Sequence, residues 1–317
     1  MQDALGLSNT ELSVLMSVFG FVSMISYFPG GWLADRLPPR YLISGSLLAT
    51  GAGGLWFATF PSYEISIAIH ALCGMSITVL FWGAMIRVTR NWAPPDEQGK
   101  AFGILEMLRG FGEILPHAAL LAVFTWLGSS DQALSVVILQ LSLAILFLGV
   151  VSWFVIEDVH RADAADSRAR IGLKDVLAVL RLPVIWLISI VVMAAYCAYW
   201  GSFYFTPYAS DVFLTTAAIA GAISIGRQVT KLFAAPLAGF IADRFGIAWT
   251  VAVLFLVLIL SFTGFAFLPA DAAFFQLMLV NVAVAGIAIF ALRGIYFALL
   301  EEGGVPLAVT GTAGGIV

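Results

Sequence analysis

Four ionisable residues recur along one apolar stretch of the sequence, residues 101–127. They are Glu106, Arg109, Glu113 and His117. Their spacing of three, four and four residues places side chains on one face of an α-helix. A carboxyl group near a movable arginine can alternate between an ion pair and a protonated acid. We therefore predict that Glu106, Glu113 and His117 take part in proton coupling, although a lone histidine in an apolar stretch is more often a hydrogen-bonded core residue.

Three more basic residues lie inside other apolar stretches, namely Arg227, Lys231 and Arg293. With Arg109 they make four basic groups against two acidic ones. Because an unpaired buried charge is expensive, an anionic solute is a suitable partner for this surplus. We predict that the four basic residues bind substrate. The alternative is that the two glutamates neutralise them and hold the helices together.

Aromatic residues form a stripe along residues 183–207. Tyr196, Tyr199 and Trp200 recur at helical spacing, and we predict that they line the substrate site. Aromatic rings with hydroxyl groups suit a polar organic solute better than a bare inorganic ion. The alternative interpretation is an aromatic belt at the membrane surface.

The sequence offers no pattern for catalysis. It contains no phosphate-binding loop, no His/Cys metal spacing and no Ser-His-Asp context. We therefore predict no enzymatic activity, no cofactor and no metal. Cys73 and Cys197 both lie in apolar runs and are expected to be core residues.

The elements that carry these residues are predicted to be membrane-spanning helices. Of the 317 residues, 61% are hydrophobic and 11% are charged, whereas a soluble domain carries about 25% charged residues. The apolar residues come in runs of roughly 20, the length that crosses the hydrocarbon core as a helix. The predicted spans are 11–33, 41–60, 64–88, 101–127, 133–156, 183–207, 216–242, 247–268 and 273–299, followed by a partial one from Val305.

The long connection at residues 157–182 is the most charged part of the chain. Apolar residues at helical spacing within it predict a short helix lying on the membrane surface. These are Leu173, Val176, Leu177 and Leu180. The predicted domains are therefore an N-terminal helical bundle at 1–156, a cytoplasmic linker at 157–182 and a C-terminal bundle at 183–317.

Charge placement predicts the orientation in a cell membrane. If the loop at 34–40 is cytoplasmic and the others alternate, the inside segments hold 11 of the 15 basic residues and the outside segments hold none. Such an asymmetry is the positive-inside signal of a multi-pass inner-membrane protein.

One motif occurs twice, in PGGWLADRLPPR at 29–40 and in PLAGFIADRFGIAW at 236–249. Both copies read Gly-x-x-x-Asp-Arg, and their aspartates are 208 residues apart. Small residues let two helices approach closely, and an Asp at a helix end can accept hydrogen bonds from the free N–H groups at the start of a neighbouring helix. The copies consist of Gly31, Asp35 and Arg36, and of Gly239, Asp243 and Arg244.

These motifs resemble the signature Gly-x-x-x-Asp-Arg-x-Gly-x-Arg of the major facilitator superfamily. The first copy has Pro38 where the signature has its second Gly and keeps Arg40, whereas the second copy keeps Gly246 and lacks the closing basic residue. The segment NWAPPDEQGKAFGI at 91–104 is similar to the family's loop between helices four and five. The resemblance implies two six-helix bundles, a central cavity and alternating access. It also implies that the motif residues, with Arg40, form a conformational gate.

In the family's register, the first span here corresponds to helix two, which predicts a fragment lacking helix one and the end of helix eleven onward. The alternative is a native nine-span protein, which would break the symmetry of the repeat. The resemblance also implies an all-α polytopic secondary transporter. With the basic surplus, it predicts a symporter of protons and a small organic anion, such as a carboxylate, sugar acid or phosphorylated solute. An efflux pump for neutral or cationic compounds and a non-transporting membrane sensor are the alternatives. The expected partners are the solute and the bilayer, without nucleic acid, and the protein is expected to be a monomer.

Overall fold

The computed structural model describes residues 7–128, 131–156, 173–269 and 271–317, and within them every regular element is a helix. Side chains of a few residues in these ranges, His117 among them, lie outside the description. In chain order the α-helices are α1 (Asn9–Arg36), α2 (Pro39–Phe57), α3 (Tyr63–Met75), α4 (Gly83–Trp92), α5 (Gln98–Trp126), α6 (Asp131–Val155), α7 (Leu173–Leu180), α8 (Pro183–Gly201), α9 (Phe205–Val212), α10 (Ala217–Phe245), α11 (Ile247–Phe267), α12 (Phe275–Ile295), α13 (Leu299–Glu302) and α14 (Thr310–Ile316).

The predicted all-α, multi-span fold is confirmed. Seven helical stretches among the described residues are long and apolar enough to cross a membrane by length and composition. They are Thr10–Arg36, Tyr63–Trp92, Pro95–Trp126, Gln132–Val155, Pro183–Val212, Ile247–Phe267 and Phe275–Glu302. The other two predicted spans correspond to α2, which is rich in glycine, and to α10, which carries four charged residues.

Four of the long stretches contain a local change of helix type, and in Pro95–Trp126 it is a 3₁₀ turn at the start, Pro95–Glu97. A π-helix at Ser76–Trp82 joins α3 to α4, and a 3₁₀ turn at Ser202–Tyr204 joins α8 to α9. Another 3₁₀ turn, at Tyr296–Ala298, follows α12. Such irregularities within a membrane-embedded helix are tolerated where neighbouring helices bury them or satisfy the freed backbone groups.

A helix also covers Leu173–Leu180, where the apolar spacing predicted one. The linker segment 157–172 lies outside the described residues, so the position of α7 on the membrane surface stays a prediction. The boundaries of the two predicted bundles likewise stay a prediction.

The helices form two compact units. The first contains the described parts of Met1–Val88 and Leu115–Leu182, together with Pro306–Ile316. In it α2 packs along α6, where the hydroxyl groups of Ser44 and Ser152 are 2.8 Å apart, and α1 packs against α3 and α14.

The second unit contains the described parts of Thr89–Ile114 and Pro183–Val305, with Val317. Three helices, α8, α10 and α11, pack against α12, whose last turns are buried. The first part of α5 belongs to this unit and crosses α10 at small residues, because a Cβ on Gly103 would lie 2.6 Å from the Ala235 carbonyl oxygen. Each unit therefore combines helices from both of the predicted bundles.

Candidate functional site

The carboxylate of Glu106 is the centre of a buried ion-pair cluster in the second unit. Its Oε2 accepts a 2.7 Å hydrogen bond from Nη1 of Arg109, three residues later on α5. Its Oε1 lies 3.1 Å from Nε of Arg293 on α12 and 3.4 Å from Nζ of Lys231 on α10. Glu106 is 3% exposed, so this anion lies in the interior of the unit. Cations from three helices surround it.

Glu113 differs from Glu106 mainly in its accessibility. Nζ of Lys231 donates a 3.0 Å hydrogen bond to Oε1 of Glu113, so Lys231 bridges the two carboxylates. The side chain of Glu113 is 43% exposed, whereas that of Glu106 is 4% exposed. Of these two acids, Glu113 is therefore the more accessible one.

The guanidinium groups of Arg293 and Arg227 lie against aromatic residues on α8 and the turn that follows it. Cζ of Arg293 is 4.2 Å from the centroid of the Tyr199 ring and 5.0 Å from that of Tyr196. Cζ of Arg227 is 4.0 Å from the centroid of the Phe203 ring and 5.9 Å from that of Tyr199. Stacking of this kind fixes the plane of a guanidinium group while its N–H groups point outward along the edge.

Both of these arginines are buried, and Arg293 keeps one unused hydrogen-bond donor. Nη1 of Arg227 donates to the Ser202 hydroxyl at 3.2 Å, and no carboxylate among the described residues lies within ion-pair distance of Arg227. Nη1 of Arg293 is buried without a hydrogen-bond partner. A buried donor of this kind is a site where an acceptor on a bound solute would be stabilised.

Two residues of this cluster were not singled out from the sequence. Tyr296 is 1% exposed, and the centroid of its ring is 6.2 Å from that of Tyr196. Its position three residues after Arg293 was a usable signal, because such pairs share a helix face. Ser202 gave no comparable signal, since a serine beside a glycine at a helix end is common.

Two predicted site residues have no described contact with the charged residues of the cluster, although the Trp200 ring lies 5.9 Å from that of Tyr199. The Trp200 ring is stacked on Phe203, with centroids 5.3 Å apart, and Trp200 is 63% exposed. The prediction for His117 falls on a side chain outside the described part of the structure.

The second copy of the repeated motif joins α10 to the start of α5. Oδ1 of Asp243 accepts a 2.6 Å hydrogen bond from the Gly99 N–H, and Oδ2 accepts a 2.8 Å bond from the Lys100 N–H. A Cβ on Gly239 would collide with the carbonyl oxygen of Gly99. The glycine thus allows the approach that brings the carboxylate to the free N–H groups of α5.

The first copy makes the same arrangement inside the first unit. Oδ1 of Asp35 accepts a 2.7 Å hydrogen bond from the Gly311 N–H, and Oδ2 accepts 2.6 Å bonds from both the N–H and the hydroxyl of Thr312. A Cβ on Gly31 would collide with the carbonyl oxygen of Gly311. We call these two contacts, Asp35 with the start of α14 and Asp243 with the start of α5, the aspartate caps.

The arginines of the motif contact other neighbours. Cζ of Arg36 lies 3.8 Å from the Trp32 ring, and Cζ of Arg244 lies 5.6 Å from the Phe245 ring. Nε of Arg40 donates a 2.8 Å hydrogen bond to the carbonyl oxygen of Ile156, just beyond the end of α6.

A further buried ion pair lies in the second unit, near the start of α5. Arg90 is 1% exposed, and its Nη2 lies 2.6 Å from Oε2 of Glu301. The same nitrogen donates to the carbonyl oxygens of Leu300 and Val305. These bonds satisfy backbone acceptors at the end of α13 and just beyond it, and Arg90 was not singled out from the sequence.

Within the described residues, no group of three or more His, Cys, Asp or Glu side chains could hold a metal ion. Long apolar helices, a buried charged cluster and a duplicated cap define a polytopic membrane transport protein. Comparison with known proteins supports this class, because the profile of the Major Facilitator Superfamily matches residues 1–317. The chain belongs to this family and is a secondary transporter rather than an enzyme.

Individual relatives agree with this assignment. The chain is 28% identical to the Inner membrane protein YihN of Escherichia coli (strain K12), over 99% of this chain and 76% of the relative. It is 30% identical to the "Probable galactarate/D-glucarate transporter GudP" of Bacillus subtilis (strain 168), over 36% of this chain and 26% of the relative. The crystal structure of the E. coli fucose:proton symporter FucP (N162A) has a TM-score of 0.74 at 16% identity, covering 99% of this chain and 81% of FucP. The predicted fold and the multi-pass inner-membrane location are thereby confirmed.

Proposed function

We propose that this transporter carries a small organic anion across the inner membrane by alternating access and that transport is coupled to protons. The observation that carries the proposal is the surplus of cations in the cluster around Glu106. Arg109, Arg227, Lys231 and Arg293 face two acidic groups, Glu106 and Glu113. A bound anion would balance this surplus in a region where charge is poorly solvated.

The aromatic residues support an organic solute over an inorganic ion. Tyr196 and Tyr199 contact the basic cluster and offer both apolar rings and hydroxyl groups. The name of the B. subtilis relative GudP points to sugar acids, which are polyhydroxylated carboxylates. A sugar acid would use the guanidinium groups for its carboxylate and the tyrosine hydroxyls for its own hydroxyl groups.

Glu113 is the residue that we assign to proton coupling. Its carboxylate is accessible and contacts Lys231, whereas Glu106 is enclosed by three cations. Protonation of Glu113 releases Lys231 from one of its two carboxylates, and an arriving substrate anion can replace that partner. Proton binding and anion binding therefore favour the same rearrangement of Lys231.

The aspartate caps are assigned to the conformational cycle. Each cap consists of charge-assisted hydrogen bonds from one carboxylate to the first N–H groups of another helix, and such bonds can break and reform without covalent change. We assign Asp35 and Asp243 to stabilising one of the two states of the alternating-access cycle.

The test is uptake of radiolabelled organic anions by the full chain reconstituted into liposomes. Galactonate and galactarate are suitable probes, and galactitol is the uncharged comparison. Arg109→Ala, Arg227→Ala and Arg293→Ala are each expected to abolish anion uptake while the protein still inserts into the membrane. Arg181→Ala is the matched control, because Arg181 is exposed and lies outside the cluster. Unchanged uptake in all three cluster variants would end the anionic-site proposal.

A further inference from the structure

The four cations of the cluster, Arg109, Arg227, Lys231 and Arg293, differ in how far protein carboxylates already balance them. Lys231 contacts two carboxylates, at 3.0 Å and 3.4 Å, and Arg109 contacts one at 2.7 Å. Arg293 shares Glu106 with both of them and leaves its Nη1 without a hydrogen-bond partner. Arg227 donates to a hydroxyl group, and no described carboxylate lies within ion-pair distance of it. The surplus of two charges therefore falls mainly on Arg227 and Arg293.

Both of these arginines lie near the ring of Tyr199. Their Cζ atoms lie 5.9 Å and 4.2 Å from the centroid of Tyr199. They are 7% and 8% exposed, so neither charge is well solvated by bulk water. Phe203 also contacts Arg227, and Tyr196 also contacts Arg293. The aromatic residues thus hold two planar, doubly donating groups beside one another.

The geometry points to a substrate that carries two negative charges, which we infer to be bound by Arg227 and Arg293 together, beside Tyr199. This inference rests on the proposed function, because it specifies the charge of the transported anion. A monoanion would balance only one of the two surplus charges and leave one buried positive charge without a counter-charge, which is unfavourable. A dianion balances both, and each of its acidic groups can accept paired hydrogen bonds from a guanidinium edge.

Two kinds of compound present this chemistry, a dicarboxylate and a phosphate monoester. The dicarboxylate distributes its charges over two ends of a chain, whereas the phosphate ester concentrates them on one group. A binding experiment that includes a probe of each kind distinguishes the dicarboxylate from the phosphate monoester.

The experiment measures dissociation constants of the purified full chain in lipid nanodiscs by isothermal titration calorimetry. Probes of equal carbon number differ in charge: galactarate, galactonate and galactitol, with galactose 6-phosphate as the phosphate dianion. Shorter pairs, succinate with butyrate and glutarate with valerate, extend the series. We expect the dianion of at least one pair to bind about tenfold more tightly than its monoanion, equivalent to about 1.4 kcal/mol.

Replacing one of the two guanidinium groups identifies which charges create the preference. Arg227→Gln removes a positive charge and retains hydrogen-bonding atoms, so the ratio of dianion to monoanion affinity is expected to fall to about one. Arg181→Gln, an exposed arginine outside the cluster, is expected to keep the wild-type ratio.

Equal affinity for the two members of every pair overturns the dianion inference but leaves anion transport intact. An unchanged ratio in Arg227→Gln also overturns it. Failure of every charged probe to bind overturns the proposed function as well. Preference for galactarate over galactose 6-phosphate identifies a dicarboxylate, and the reverse identifies a phosphate ester.

Discussion

Replacing Glu106 with Gln removes the one anion that three cations share. The oxygens of Glu106 lie 2.7 Å, 3.1 Å and 3.4 Å from nitrogens of Arg109, Arg293 and Lys231. Removing one partner from a buried ion pair costs about 3–5 kcal/mol, because the remaining charges stay buried without compensation. We expect Glu106→Gln to lose stability in this range and to show a clearly lowered thermal midpoint in detergent or nanodiscs.

Glu113→Gln is the matched control on the same helix. Its side chain is 43% exposed, and an accessible ion pair contributes about 0–1 kcal/mol. This variant is therefore expected to unfold near the wild-type temperature while anion uptake loses its dependence on an imposed pH gradient. A normal response of Glu113→Gln to the gradient would contradict its assignment to proton coupling.

A double variant tests whether the loss of stability in Glu106→Gln comes from the unbalanced positive charges around it. Adding Lys231→Gln removes one of the cations that Glu106 had balanced, so part of the lost stability is expected to return. Neighbouring charges of this kind commonly show coupling energies of about 0.5–3 kcal/mol. If Glu106→Gln and Glu113→Gln destabilise the protein equally, or if the double variant is simply the sum of its parts, the description of Glu106 as a shared counter-ion is wrong.

Three further predictions concern the caps and the Arg90 ion pair. Gly31→Ala is expected to destabilise the protein in thermal unfolding, whereas Gly20→Ala on the same helix is not, because a Cβ at Gly20 meets nothing within 4 Å. Asp243→Asn is expected to reduce uptake in liposomes strongly without reducing membrane insertion, and wild-type uptake would contradict a role in the transport cycle. Arg90→Gln leaves Glu301 without its buried partner and is expected to cost about 3–5 kcal/mol in unfolding, so a variant within 1 kcal/mol of wild type would contradict this role.

The spans and the charged face of α5 were predictable because both are local in the sequence. A run of about 20 apolar residues can be recognised as a span without knowing its neighbours. Likewise, the spacing from Glu106 to Arg109 and Glu113 depends only on the helical repeat. The π-helix at Ser76–Trp82 was not predictable in this way, because SITVLFW is as apolar as the residues around it.

The membership of the cluster required the tertiary fold. Arg293 and Glu106 are 187 residues apart, and their contact depends on the packing of α12 and α5 in one unit. Trp200, by contrast, is close in sequence to a cluster residue but points away from the cluster. It follows Tyr199 directly, so it is turned by about 100° around the helix axis, and it becomes exposed while Tyr199 contacts the arginines.

Comparison of the two aspartate caps shows which residues of the repeated motif the contact requires and which residues can vary. After α10 the chain turns at Gly246 with φ of +98°, a conformation that favours glycine. After α1 the chain instead turns through Leu37, with φ of −99°, and Pro38, with φ of −59°. Although the turns differ, both aspartates accept hydrogen bonds from two consecutive backbone N–H groups. The turn residue can therefore vary. Gly31 and Gly239 allow the close approach of the partner helix, and Asp35 and Asp243 bind its N–H groups. For this reason Pro38 does not weaken the resemblance between the two copies.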